Sequence, residues 1–239
     1  LSSSSAASDV YKRQPSAFIG SYIMAPIAIL NGGSEDQKKL YLPDIASGKI
    51  SFAVGFSEFI GARENCEIIF KDGKLNGRSI FVLDSRDASH IMVADKDGKI
   101  YIASMNSEGL TKNHLTTVDK TRSFSEVIFK EVEVELLQKT KDALNPIQKS
   151  IDAGRVALAA DTLGAAQEMI NKAVEYSKER KQFGRVIGSF QAVKHMCAEM
   201  TADLEPCYAM VWHAAHCIDE DEEDSRFMSC HSKAHTSEV

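Results

Sequence analysis

The chain has 239 residues, 44% of them hydrophobic. That is enough for a sizeable core and awkward for one compact unit, so two packed bodies are expected. A net charge of -6 and a pI near 5.7 exclude a global nucleic-acid or anionic-membrane surface, so any local basic cluster must be a site or salt-bridged surface. The five scattered cysteines (Cys66, Cys197, Cys207, Cys217, Cys230) form no C-x-x-C pair and match the reduced thiols of a cytoplasm or organelle matrix.

Residues 1–14, "LSSSSAASDVYKRQ", are a serine run with a basic patch and no periodicity, and read as a non-native leader. Lys12 and Arg13 ahead of "AFIGSYIMAPIAIL" imitate a signal peptide, but no small-residue cleavage site follows, and the apolar run is far short of the ~20 residues that span a bilayer. Residues 15–49 read as the end of a helical domain. Its first helix closes at Asn31-Gly32-Gly33, and its second starts at Ser34 with Glu35 and Asp36 in the first turn.

Over 50–137 the period changes. "ISFAVGF", "EIIF", "SIFVL", "HIMVA", "KIYIASM" and "SEVIFKEVEV" are short β-rich runs. Asp72-Gly73, Asn76-Gly77 and Asp97-Gly98 read as the turns between them, and an antiparallel sandwich or barrel-like domain is predicted. From 145 to 239 the helical period returns. Val156, Ala159, Leu163, Ala166, Ile170, Ala173 and Ser177 form one stripe; Phe190, Val193, Cys197, Met200 and Leu204 form another, with Pro206 expected to kink or divide its helix. "DEDEED" at 219–224 is a solvated turn before a last helix from Ser225. The order helix, sheet, helix is α+β.

Between the two long helices, "ERKQFGRVIGSFQ" gathers Arg180, Lys181 and Arg185 around Phe183 and Gly184. Cations beside the free N–H groups of a new helix suit a phosphate or pyrophosphate. Equally, Glu175, Glu179 and Glu199 can pair with them across neighbouring turns. His213, His216 and Cys217, with Cys230, His231 and His235, offer metal-ligand chemistry, but the first set lies on an ordinary apolar-striped helix and the second on another, so no metal is expected.

"YSKERKQFGRVIGSFQAVKHMCAEM" is similar, nearly position by position, to the R-x-x-F-G-x-x-I-x-x-x-Q-x-x-x-x-x-x-A-x-M signature of the flavin-dependent acyl-CoA dehydrogenases. "GSEDQKKLYLPDIASGKISFAVGFSE" and "IDAGRVALAADTLGAAQ" resemble two further motifs of that family, in the right order, and together the match covers most of residues 16–239. The resemblance implies an FAD enzyme that desaturates an acyl-CoA thioester at its α and β carbons in fatty-acid or related degradation. A carboxylate base takes the α-proton, and the β-hydrogen leaves as hydride to the flavin. It further implies a dimer or tetramer, homo- or hetero-oligomeric, with an electron-transferring flavoprotein as acceptor, in the cytoplasm or a mitochondrial matrix. Arg180, Phe183 and Gln191 match positions that hold FAD, typically that of a neighbouring subunit. Ser57 matches a hydroxyl that bonds the flavin ring, and Asp152 and Arg155 match a site that touches acyl-CoA.

Three departures qualify this. The family's usual base and its Q-x-x-G-G-x-G loop are expected beyond Val239, in a chain read as truncated at both ends, so no catalytic residue is assigned. The alternative base position is Gly154, which cannot take a proton. The family's T-E-P-G-A-G-S-D reads "SEFIGAREN", with Phe59 in place of proline. Its K-x-W-I-T reads "SIFVL", with Phe81 for the tryptophan and Leu83 for the threonine beside the flavin. That erosion supports a second reading, a non-catalytic partner subunit that lends interface and FAD contacts to a sister chain.

Overall fold

A computed structural model describes residues 17–61, 67–138 and 144–239. The leader expected over 1–14 and part of "SEFIGAREN" lie outside them. The chain forms two compact units that divide within one helix, between Ile151 and Asp152.

In the first unit, Phe18–Met24 winds as a π-helix that runs into α1 (Ala25–Gly32). The periodicity predicts an α-helix here. The wider turn is instead pinned from outside, because Phe52 N–H donates to Ser21 Oγ at 2.9 Å and Ser150 Oγ donates to the Met24 carbonyl at 2.8 Å. Helix α2 (Glu35–Ala46) starts as expected at Ser34. Its hydroxyl accepts from Gln37 N–H, while the Gln37 side chain accepts from Ser34 N–H, closing a capping box.

The strands are β1 (Phe52–Gly55), β2 (Ile69–Lys71), β3 (Lys74–Leu83), β4 (His90–Ala94), β5 (Ile100–Ser104), β6 (Leu110–Leu115), β7 (Phe124–Glu133) and β8 (Glu135–Leu136). They hydrogen-bond into one sheet in the order β6-β7-β3-β1-β4-β5-β8, with β2 on β3. The β1–β4 pair is parallel and the other pairs antiparallel. One apolar cluster, including Phe52, Met92, Ile102, Tyr41, Ile29 and Ile147, joins the sheet to the helices, and another, including Leu75, Ile91, Tyr101, Val127 and Phe129, forms a second core.

The strands and turns differ from the sequence reading in one expectation and add two features it did not contain. Asp72-Gly73 is a turn with both φ positive, but Asn76-Gly77 lies inside β3. Gly77 has φ 114°, and a Cβ there would sit 1.8 Å from the Glu67 carbonyl oxygen, so the glycine serves a close backbone approach. Strand β6 is unexpected because "LTKNHL" is an exposed edge with no apolar face to announce it. Within β3, pairing with β7 slips between Ser79 and Val82 and puts Phe81 at φ 58°.

In the second unit, α3 (Leu144–Glu179, from Asp152 onward) and α4 (Gln191–Asp219) pack through Val156, Ala159, Leu163, Leu204, Cys207 and Val211. Of the predicted stripe, Ala173 is exposed. Helix α4 runs through Pro206 without dividing. Pro206 and Ala202, whose carbonyl loses its usual N–H partner, are both on the exposed side, so the unbonded carbonyl faces solvent rather than the core. Helix α5 (Ser225–Glu238) follows the acidic turn.

Candidate functional site

The long helix α3 delivers its last turn into a hairpin of β9 (Lys181–Gln182) and β10 (Arg185–Val186). The two connecting residues, Phe183 (φ 54°) and Gly184 (φ 76°), are both left-handed, the geometry that matches strand twist in a two-residue loop. Glycine adopts it freely; phenylalanine is strained there, by about 1–2 kcal/mol, and its ring is 91% exposed. An exposed aromatic held at a strained turn packs against nothing in its own fold beyond an edge contact with Phe190 at 6.1 Å.

The cations decide between the two sequence readings. Among the described residues, no carboxylate lies within 4.0 Å of Arg180, Lys181 or Arg185, so Glu175, Glu179 and Glu199 do not neutralise them. Arg185 lies over the Phe190 ring, 4.0 Å from its centroid, which fixes the guanidinium without discharging it. Helix α4 opens at Gln191, next to this face, and the Gln191 amide meets His195 Nε2 at 2.9 Å one turn on. His195 was not a sequence candidate, although its spacing of four from Gln191 is the signal that finds it. Beside the hairpin, Val174, Lys178, Gly188, Val193, Lys194 and Cys197 line a cavity of about 540 Å³. Uncompensated cations, an exposed ring and an amide suit a pyrophosphate-bearing ligand, so these residues fit that part of FAD.

The remaining candidates are held differently. Asp152 is not a helix cap but sits in the third turn of α3, 4% exposed, where its Oδ1 accepts from Arg155 Nη1 at 2.7 Å and from Ser229 Oγ at 3.0 Å. No sequence signal points to Ser229, which comes from a helix 77 positions on. Gly154 is buried in the same helix. In the first unit, Ser57 follows β1, buried, and its hydroxyl donates to the Ile80 carbonyl at 2.6 Å. Glu58 Oε2 is a second acceptor at 3.2 Å, so the single Ser57 proton has acceptors within the fold, and Leu83 has no hydroxyl at all. Among the described residues no three His, Cys, Asp or Glu side chains gather as a metal site, and no helix is long and apolar enough to cross a membrane.

Comparison with known proteins places these features. Residues 144–239 match the family described as acyl-CoA dehydrogenase, C-terminal domain, a span that carries the hairpin, Asp152 and Arg155. The chain belongs to the acyl-CoA dehydrogenase family. An acyl-CoA dehydrogenase of Bacillus subtilis is 31% identical over 78% of this chain and 54% of its own length. The caffeyl-CoA reductase-Etf complex subunit CarC of Acetobacterium woodii is 28% identical over 98% of this chain and 65% of its own. This chain thus spans roughly half to two thirds of the length of these two relatives. Butyryl-CoA dehydrogenase from Megasphaera elsdenii superposes with a TM-score of 0.84 over 93% of this chain and 63% of its own, at 24% identity, which establishes the acyl-CoA dehydrogenase fold.

Proposed function

We propose that the chain is part of an FAD-dependent acyl-CoA dehydrogenase acting on an acyl-CoA thioester, and that its hairpin grips the cofactor's pyrophosphate. The observation that carries this reading is the uncompensated cation set at Arg180, Lys181 and Arg185 beside the exposed Phe183. FAD, when bound, supplies the hydride acceptor. This chain's own residues bind and orient: the cations meet the pyrophosphate, Phe183 offers a face to a ring, and Gln191 gives a directional hydrogen bond. Asp152 and Arg155 contact the acyl-CoA. Because the hairpin's cations and ring are exposed and unmatched within their own unit, the FAD they meet is that of a neighbouring subunit in a dimer or tetramer, and an electron-transferring flavoprotein receives the electrons, in keeping with the Etf complex named for the Acetobacterium relative.

A second reading is a non-catalytic partner subunit, favoured by the acceptors that Ser57 has within the fold and by the apolar Leu83. Anaerobic titration of the FAD-loaded full-length protein that contains this chain with butyryl-CoA separates the two. Bleaching of the flavin absorbance supports the enzyme. FAD that is retained only after a second family chain is added, with bleaching following that addition, supports the partner subunit. If the protein takes up no FAD alone or with such a chain, both readings fall.

A further inference from the structure

We propose that Ser229, on α5, is a positioning residue that aims the Asp152–Arg155 pair at its ligand; the inference rests on the reading of that pair as an acyl-CoA contact. Ser229 is fully buried, and its single proton has two acceptors in reach, Asp152 Oδ1 at 3.0 Å and the Arg226 carbonyl of its own helix at 2.9 Å. A hydroxyl donates only once. The carboxylate is the stronger acceptor, whereas the carbonyl of Arg226, in the first turn of α5, already accepts from the helical turn that follows it. The proton therefore goes to Asp152.

The other buried hydroxyls on this face behave differently. Ser232 donates to the Ser229 carbonyl at 3.1 Å and Thr236 to the Ser232 carbonyl at 2.8 Å, both within α5. Of the three, it is Ser229 that donates across to α3. Its target oxygen is the same Oδ1 that Arg155 Nη1 approaches at 2.7 Å, so the hydroxyl fixes the torsion of the carboxylate and, through it, the plane of the guanidinium. Arg155 is a quarter exposed and carries five N–H donors, which leaves a fork face for an anionic or carbonyl group from solvent. Loss of the Ser229 hydroxyl leaves the ion pair intact but loosely aimed, and such outer supports commonly govern the affinity of the groups they orient.

The test is calorimetric titration of the whole chain with butyryl-CoA, using Ser229→Ala, the near-isosteric Ser229→Cys, Asp152→Ala and Arg155→Gln. Both Ser229 variants should bind about tenfold more weakly, with melting temperatures close to the parent protein. In the Asp152→Ala background, which removes the oxygen that Ser229 donates to, Ser229→Ala should add almost nothing, which a merely structural serine would not produce. If Ser229→Ala and Ser229→Cys bind like the parent while Arg155→Gln binds weakly, the positioning role is wrong and the acyl-CoA reading stands. If Arg155→Gln has no effect, or the parent protein does not bind butyryl-CoA, that reading fails and the role of Ser229 fails with it.

Discussion

Asp84, the residue after β3, joins the sheet to the π-helix and gives the sharpest stability prediction. Its carboxylate is 3% exposed and accepts the Gly20 N–H at 2.7 Å, and its backbone lies at φ 58°. Asp84→Ala removes the acceptor from a buried N–H, at about 1–3 kcal/mol, and places alanine in a left-handed conformation, at about 1–2 kcal/mol. The sum is about 3 kcal/mol, or a fall of roughly 6–12 °C in melting temperature for a chain of this size. Asp84→Asn keeps the acceptor and tolerates the left-handed region. Burial raises the Asp84 pKa, against the smaller opposing effects of the Gly20 bond and the Arg122 charge. A carboxyl group raised in the folded state favours folding below its ordinary range and weakens it as pH rises through the folded value. At pH 7 the asparagine variant should therefore equal or exceed the parent protein, and its advantage should shrink as the pH is lowered toward 4. Thermal melts by far-UV circular dichroism measure all three proteins. Asp84→Asn as damaging as Asp84→Ala, or Asp84→Ala within about 1 kcal/mol of the parent, would refute the reasoning.

His90 stacks on Phe52 at 5.3 Å, and burial lowers its pKa, so the folded state resists the proton that the unfolded chain accepts below about pH 6.5. Stability should fall as pH drops from 7 to 5.5, and in His90→Phe that part of the slope should disappear from urea melts; an unchanged slope would exclude His90 as its source. Pro206→Ala should restore the missing bond to the exposed Ala202 carbonyl and stabilise the second unit by about 1–3 kcal/mol, read as an upward shift in its melt.

Much of this was legible in the sequence because it is written locally. Ser34, Glu35, Asp36 and Gln37 state a helix start within four residues, and Asp72-Gly73 states a turn within two. The hairpin at 181–186 was legible as a motif, with its cations adjacent in sequence. The illegible parts depend on partners far along the chain. The π-helix is held by Phe52 N–H and Ser150, Gly77 answers to the Glu67 carbonyl, and the Ser57 hydroxyl meets the Ile80 carbonyl. Asp152 meets Ser229 only after α5 has packed. Strand β6 escaped because an exposed edge strand has no apolar alternation. The competition between Glu175, Glu179 or Glu199 and an outside anion could not be settled from spacing, since helical neighbours within reach need not point at each other.

The central claim is that Arg180, Lys181 and Arg185 await a pyrophosphate. The most direct measurement is the affinity of the parent protein and of Arg180→Gln for FAD and for riboflavin, which lacks the pyrophosphate, by flavin fluorescence at low and moderate salt. FAD should bind more tightly than riboflavin in the parent protein, lose affinity as salt rises, and lose about tenfold or more on Arg180→Gln, while riboflavin is unaffected. Equal loss for both flavins, or no loss for either, would contradict the account.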